Sequence, residues 1–264
     1  MKLCRFVVVW VCILGAAAWA DVPPDARQAD VVFLGEVHDN PAHHTAQAEW
    51  VAELQPTALV FEMVPPAMAA GLSKDDFADM ARLEAALGWA DSGWPDFAMY
   101  YPIFAAADAR IYGAAVPRAT GREVMAEGPG AMFADNDVAR FELNQPLPED
   151  QQTKREALQM AAHCDALPED LLSGMVTIQR VRDAALARAA LQALQETGGP
   201  VAVITGNGHA RLDWGAPAAL RQAAPEVMVF ALGQGEDNHA PDGPLDHTLD
   251  APGIERGDPC AAFK

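Results

Sequence analysis

Positive charge is scarce in this chain. Its 264 residues carry 18 Lys and Arg against 37 Asp and Glu, a formal charge of −19 at neutral pH. So acidic a surface repels phosphate backbones and sets nucleic acid aside as a partner. Tyrosine is rarer, with only Tyr100, Tyr101 and Tyr112, and there are seven histidines. The apolar run nearest the N-terminus, Phe6 to Leu14, is shorter than the ~20 residues a spanning helix needs. No repeat of fixed period and no low-complexity tract is present, which removes solenoids and fibrous folds. With 51% hydrophobic and 21% charged residues, the chain reads as globular, with a sizeable buried core.

Cysteine is sparse too, at four residues. Two of them, Cys4 and Cys12, lie in a segment that reads as an export signal. Lys2 and Arg5 form a positive start, Phe6 to Leu14 an apolar centre, and Ala18-Trp19-Ala20 a small-x-small site before cleavage near Asp21. Residues 1–20 are therefore expected to be removed, leaving 21–264 as a single domain, periplasmic or otherwise exported, with membrane association not expected after cleavage. Loss of Lys2 and Arg5 while all 37 acids stay moves the formal charge from −19 to −21. Only Cys164 and Cys260 remain, and an oxidising compartment favours a disulfide between them, two unrelated thiols being the alternative.

The rest alternates between two patterns. Short apolar runs at 31–34, 57–63, 110–116, 201–205 and 227–232 read as strands buried on both faces. Helical patterns follow at 41–54, introduced by Asn40 and Pro41, and at 74–87, 151–163 and 171–196. Residues 88–102 read as a loop rich in Trp, Tyr and Pro, and the tail from Gly233 as surface loop. The fold class is α/β, a mainly parallel sheet flanked by helices, with a helical insertion over about 121–199.

Ligands of open α/β sheets sit beyond the carboxyl ends of the strands, so residues just after strands are informative. Gly35-Glu36-Val37-His38 follows the first strand and Gly206-Asn207-Gly208-His209 the fourth, with the same spacing, and Glu62 ends the second. Their glycines are expected to allow a sharp exit that turns each imidazole over the sheet edge. Two imidazoles and two carboxylates form a competent ligand set for a divalent metal, giving Glu36, His38, Glu62 and His209 as a metal site or, in a hydrolase, as catalytic residues. Against this stands the plain reading of loop histidines bonded to backbone. Asp39 is expected to share the helix cap with Asn40. His43 and His44 lie in the first helical turn, and His44 shares a face with Gln47.

The stretches LGEVHDNPAHHTAQ, LVFEM and ITGNGHAR resemble the ChaN family, iron-regulated haem-binding proteins related to the Tiki and TraB group, whose members share paired G-x-x-H motifs and a glutamate. Trp94-Pro95, Tyr100-Tyr101-Pro102-Ile103, His163-Cys164, Gln179-x-x-x-Asp183 and Asp258-Pro259-Cys260 resemble the same pattern, while the lipid-attachment cysteine of some members is absent. The resemblance implies haem capture for iron uptake rather than catalysis, with stacked haems on a helical face at a homodimer interface and tyrosine ligation of iron. Tyr100 and Tyr101 are then the candidate ligands, since tyrosinate suits ferric haem. His44 is a further cofactor-binding candidate, and Arg211 one for a propionate or for one of the chain's acids. The Tiki relation implies the alternative, a metal-dependent hydrolase built on the two G-x-x-H histidines.

Overall fold

The apolar runs become the strands of one sheet in a computed structural model that describes residues 22–261. The expected export segment lies outside the described residues. The strands are β1 (Val31–Glu36), β2 (Ala58–Phe61), β3 (Arg110–Gly113), β4 (Val201–Gly206), β5 (Val229–Glu236) and β6 (His247–Ala251). They lie in the order β3-β2-β4-β1-β5-β6, each neighbouring pair parallel. Between them run α1 (Pro24–Gln28), α2 (Pro41–Leu54), α3 (Pro66–Gly71), α4 (Met80–Leu87), α5 (Phe97–Ala105), α6 (Arg118–Glu127), α7 (Asp135–Arg140), α8 (Glu149–Ala162), α9 (Leu172–Thr197), α10 (Asn207–Ala210) and α11 (Ala216–Ala223).

The central strands are apolar at successive positions because helices cover both faces. Val31, Phe33, Val60 and Val203 turn to one side, where Val181, Ala184 and Leu186 of α9 meet them. Val32, Leu34, Phe61 and Ile204 turn to the other, against Trp50 and Val51 of α2 and Tyr100 and Ile103 of α5. Six alanines of α9, Ala184, Ala185, Ala187, Ala189, Ala190 and Ala193, are buried. Their short side chains let this 26-residue helix lie close on the strands, so the helical stretch between β3 and β4 is itself one layer of the core.

Several local expectations change. The tail beyond Gly233 is not all loop: β5 continues to Glu236 and β6 adds an edge strand paired with it. Gly233 and Gly235 mark close backbone approach, since a Cβ at either would strike the segment around His239 to Leu245 folded over the strand. The aromatic loop contains α5, begun by Asp96, whose side chain accepts from Ala98 N at 2.9 Å. The single helix expected at 74–87 is a 3-10 turn at Lys74–Ala78 followed by α4, because the Asp79 backbone is extended there and caps the second element. Asn40 alone caps α2, accepting from Ala42 N, while Asp39 pairs with Arg256 of the tail at 2.6 Å. Cys164 and Cys260 are joined by a disulfide.

Candidate functional site

The register of the two central strands sets the two Gly-x-x-His motifs side by side. Gly35 lies abreast of Thr205 and Glu36 abreast of Gly206, while Phe61 of β2 is level with Ile204, so Glu62 emerges beside them. All three segments leave the same carboxyl rim of the sheet. Neither Gly35 nor Gly206 needs a positive φ, contrary to the expected sharp exit. They are required for space: a Cβ on Gly206 would lie 2.9 Å from His38 Nε2, and one on Gly35 2.7 Å from Asn207 Oδ1.

Each imidazole is held by its own carboxylate. His38 Nδ1 is 2.7 Å from Glu36 Oε1, and His209 Nδ1 is 2.6 Å from Asp183 Oδ1. Glu62 stands 3.7 Å from His209 Nε2 and accepts from Thr205 Oγ1 at 2.6 Å and Gly206 N at 2.9 Å. Burial disfavours the His209 cation, but Glu62 and Asp183 outweigh it and raise the pKa to about 9. Burial also pushes Asp183 toward the neutral acid, so one proton is held between the two. Burial pushes the Glu36 carboxyl up, yet the hydrogen bond from His38 and the close His44 imidazole hold it down at about 2. With Nδ1 of each ring fixed, the arrangement can hold and pass protons along the rim.

A divalent metal on the set read from the sequence is not supported by the geometry. Among the described residues no group of three or more His, Cys, Asp or Glu side chains is placed to hold a metal ion. The carboxylates are instead spent on charge-assisted pairs and backbone donors. Among the described residues no serine or cysteine hydrogen-bonds to His38 or His209 as a nucleophile would.

The other candidates have partners of their own. Tyr100 is fully buried; its hydroxyl donates to Glu36 Oε1 at 2.8 Å, and burial followed by the Glu36 charge raises its pKa. His44, also buried, stands 3.2 Å from Glu36 Oε2 through Nδ1, bonds the His38 carbonyl through Nε2, and packs on the Tyr100 ring. His43 accepts from Val37 N and donates to Gly235 O, as a neutral imidazole does. Arg211 meets an acid, Asp213, in a fork at 3.0 and 2.8 Å. Two further contributors stand in the sequence only within the family-like pattern. Trp94 covers His38 with ring centroids 4.8 Å apart. Asp183 was noted only within a family pattern, although its signal was legible: it interrupts the apolar helical face of Val176, Ala187 and Ala190, and an acid there needs a partner.

Tyr101 has a different setting. It lines a cleft of about 1130 Å³ beside the edge strand β3, walled by Leu72, Phe77, Phe104, Ile111 and Tyr112. Its hydroxyl makes no hydrogen bond among the described residues, and its ring packs near Phe97. Lys74 and Arg110 also line the cleft; Arg110 pairs with Glu196 at 2.7 Å, whereas Lys74 makes no ion pair among the described residues.

The family model described as haem-binding uptake, Tiki superfamily, ChaN matches residues 22–220. A solved structure of cofacial haem binding to ChaN of Campylobacter jejuni is similar at TM-score 0.60 and 19% identity, over 81% of this chain and 84% of that one, which shows a shared fold. The type III effector HopBA1 matches at TM-score 0.38 and 15% identity, over 80% and 79% of the two chains. A succinoglycan biosynthesis protein matches at TM-score 0.38 and 12% identity, over 80% and 67%. Those last two likenesses bear on no conclusion about function. Among curated proteins none matches.

Proposed function

The chain belongs to the ChaN family of haem-binding uptake proteins, and from that premise we propose that it captures haem for iron uptake in the cleft beside Tyr101. The observation that carries this reading is a phenol without a hydrogen-bond partner among the described residues, in an aromatic-walled cleft of about 1130 Å³. The residues fit the group. Apolar walls suit a porphyrin plane, an uncommitted phenol suits ferric iron, and Lys74 and Arg110 suit the propionates. Tyr100 and His44 serve instead to hold Glu36, since a deeply buried phenol that already donates to a carboxylate is a poor source of tyrosinate.

The helical stretch 121–199 contains no tyrosine, so in this chain a tyrosine ligand on that face is not available and the ligand role falls to α5. Haem bound there would join two copies across the cleft mouth, where Phe77 is exposed. Export through removal of 1–20 belongs to the same reading and is supported by the Cys164–Cys260 disulfide. Mass spectrometry of the mature chain from a periplasmic extract should begin at Asp21; a chain beginning at Met1 would reject export by cleavage. The haem site is tested by absorbance titration of ferric haem into wild type and Tyr101→Phe. Wild type should saturate and the variant should bind at least tenfold more weakly with an altered porphyrin band; equal affinity and spectrum would move the iron elsewhere.

A further inference from the structure

A second cleft opens on the far side of His209 and has no part in the haem reading. It encloses about 380 Å³ between α8, α9 and the segment around Trp214, near the low end of the ~300–1,000 Å³ of small-ligand pockets. Its unusual member is Arg155, which is only 9% exposed. Of the guanidinium's five donors, one from Nη2 goes to the neutral Gln151 Oε1 at 2.8 Å. Nε is buried and has no partner among the described residues, Nη1 makes no hydrogen bond there, and no carboxylate stands within ion-pair distance.

Its neighbour provides the contrast. Arg211 lies on the same indole, Trp214, at 3.7 Å against 5.1 Å for Arg155, but it is paired in a two-bond fork with Asp213. A buried guanidinium left with a single neutral acceptor is costly, and an anion placed in a fork against it relieves that cost. Burial lowers the pKa of Arg155 to about 10, which still leaves it charged at neutral pH. Asp183 and Asp242 also line the cleft, and Asp183 and Asp213 act on Arg155 only from beyond ion-pair distance, so the guanidinium keeps donors free for an anion.

We propose that this cleft binds a small molecule bearing a carboxylate or phosphate group, with the anion held by the Arg155 guanidinium. Gln159 and Gln179 offer neutral hydrogen-bonding groups to its polar remainder, and Leu158 and Val176 an apolar wall. The size of the cleft selects a compact organic acid or phosphate monoester over a macromolecule.

Haem-free protein titrated calorimetrically with citrate and separately with inorganic phosphate, at fixed ionic strength, tests this. Saturable binding of citrate with weaker phosphate binding identifies a carboxylate site, and the reverse order a phosphate site. Arg155→Gln should weaken the preferred anion at least tenfold, with Arg155→Lys between it and wild type. Gln179→Glu, which puts a competing negative charge in the same cleft, should also weaken it at least tenfold and keeps the test open if loss of the arginine impairs folding. Absence of saturable binding by either probe at millimolar concentration, or Gln179→Glu binding as well as wild type, would overturn the proposal. No haem is present in the titration, so this result and that of the haem reading are read separately.

Discussion

Tyr100 and Tyr101 are adjacent in sequence and opposite in circumstance, one donating to a buried carboxylate and the other bare in an apolar cleft. Removing the Tyr100 hydroxyl strips a donor from Glu36, a loss of about 1–3 kcal/mol. Tyr100→Phe should therefore lower the denaturation midpoint while leaving the haem spectrum as in wild type; unchanged stability would mean that Glu36 does not depend on it. The rim also predicts a pH profile with two limbs. Glu36 is depressed from 4.5 to about 2, so its contribution is complete above about 4.5 and is lost as pH falls through about 2. His209 is raised from 6.5 to about 9, so its contribution is complete below about 6.5 and is lost as pH rises through about 9. Denaturant titrations across pH should show both limbs, and Asp183→Asn should weaken the alkaline one while costing about 3–5 kcal/mol near neutrality, because it breaks a buried pair. An unaltered alkaline limb in that variant would contradict the pairing.

Elements differ in how much of themselves they declare in sequence. β1, β2 and β4 are legible because burial on both faces forces unbroken apolar runs, and the motif spacing follows directly from their ends. β6 is not, because an edge strand with alternating half-buried and exposed residues, His247-Thr248-Leu249-Asp250-Ala251, has the composition of a loop. The glycines of β5 read as breakers for a similar reason: close approach of distant backbone leaves no mark on the local pattern. The side-by-side placement of the two histidine motifs was legible as a hypothesis, whereas the carboxylate that holds His209 comes from 26 residues upstream in a different layer. Gly206→Ala tests how tight that placement is. Its methyl would press on His38 Nε2, so a loss of about 1–3 kcal/mol is expected, with little change if the loop simply shifts. The tail is fastened twice, by Arg256 on Asp39 and Glu236 and by Cys260 on Cys164, 96 residues away. Cys260→Ser should lower stability by about 2–4 kcal/mol and raise amide exchange in the last ten residues before it; unchanged exchange would show the ion pairs suffice.

At the scale of the whole molecule, charge and clefts divide the surface. A strongly acidic exterior surrounds a rim of paired carboxylates and imidazoles, an aromatic cleft at the β3 edge and a second cleft beside His209 that holds the buried Arg155. Family membership fixes haem as the expected cargo, and on the proposed reading Tyr101 receives it. If haem joins two copies at that cleft, sedimentation should show a monomer without haem and a dimer with it; a haem-loaded monomer would confine each haem to one chain. The most direct measurement is the ferric haem titration itself, followed at the porphyrin band for wild type and Tyr101→Phe. The account predicts saturation in wild type and at least a tenfold weaker curve with a shifted band in the variant, about 1.4 kcal/mol of affinity. Superimposable curves, or no saturation in wild type, would contradict it.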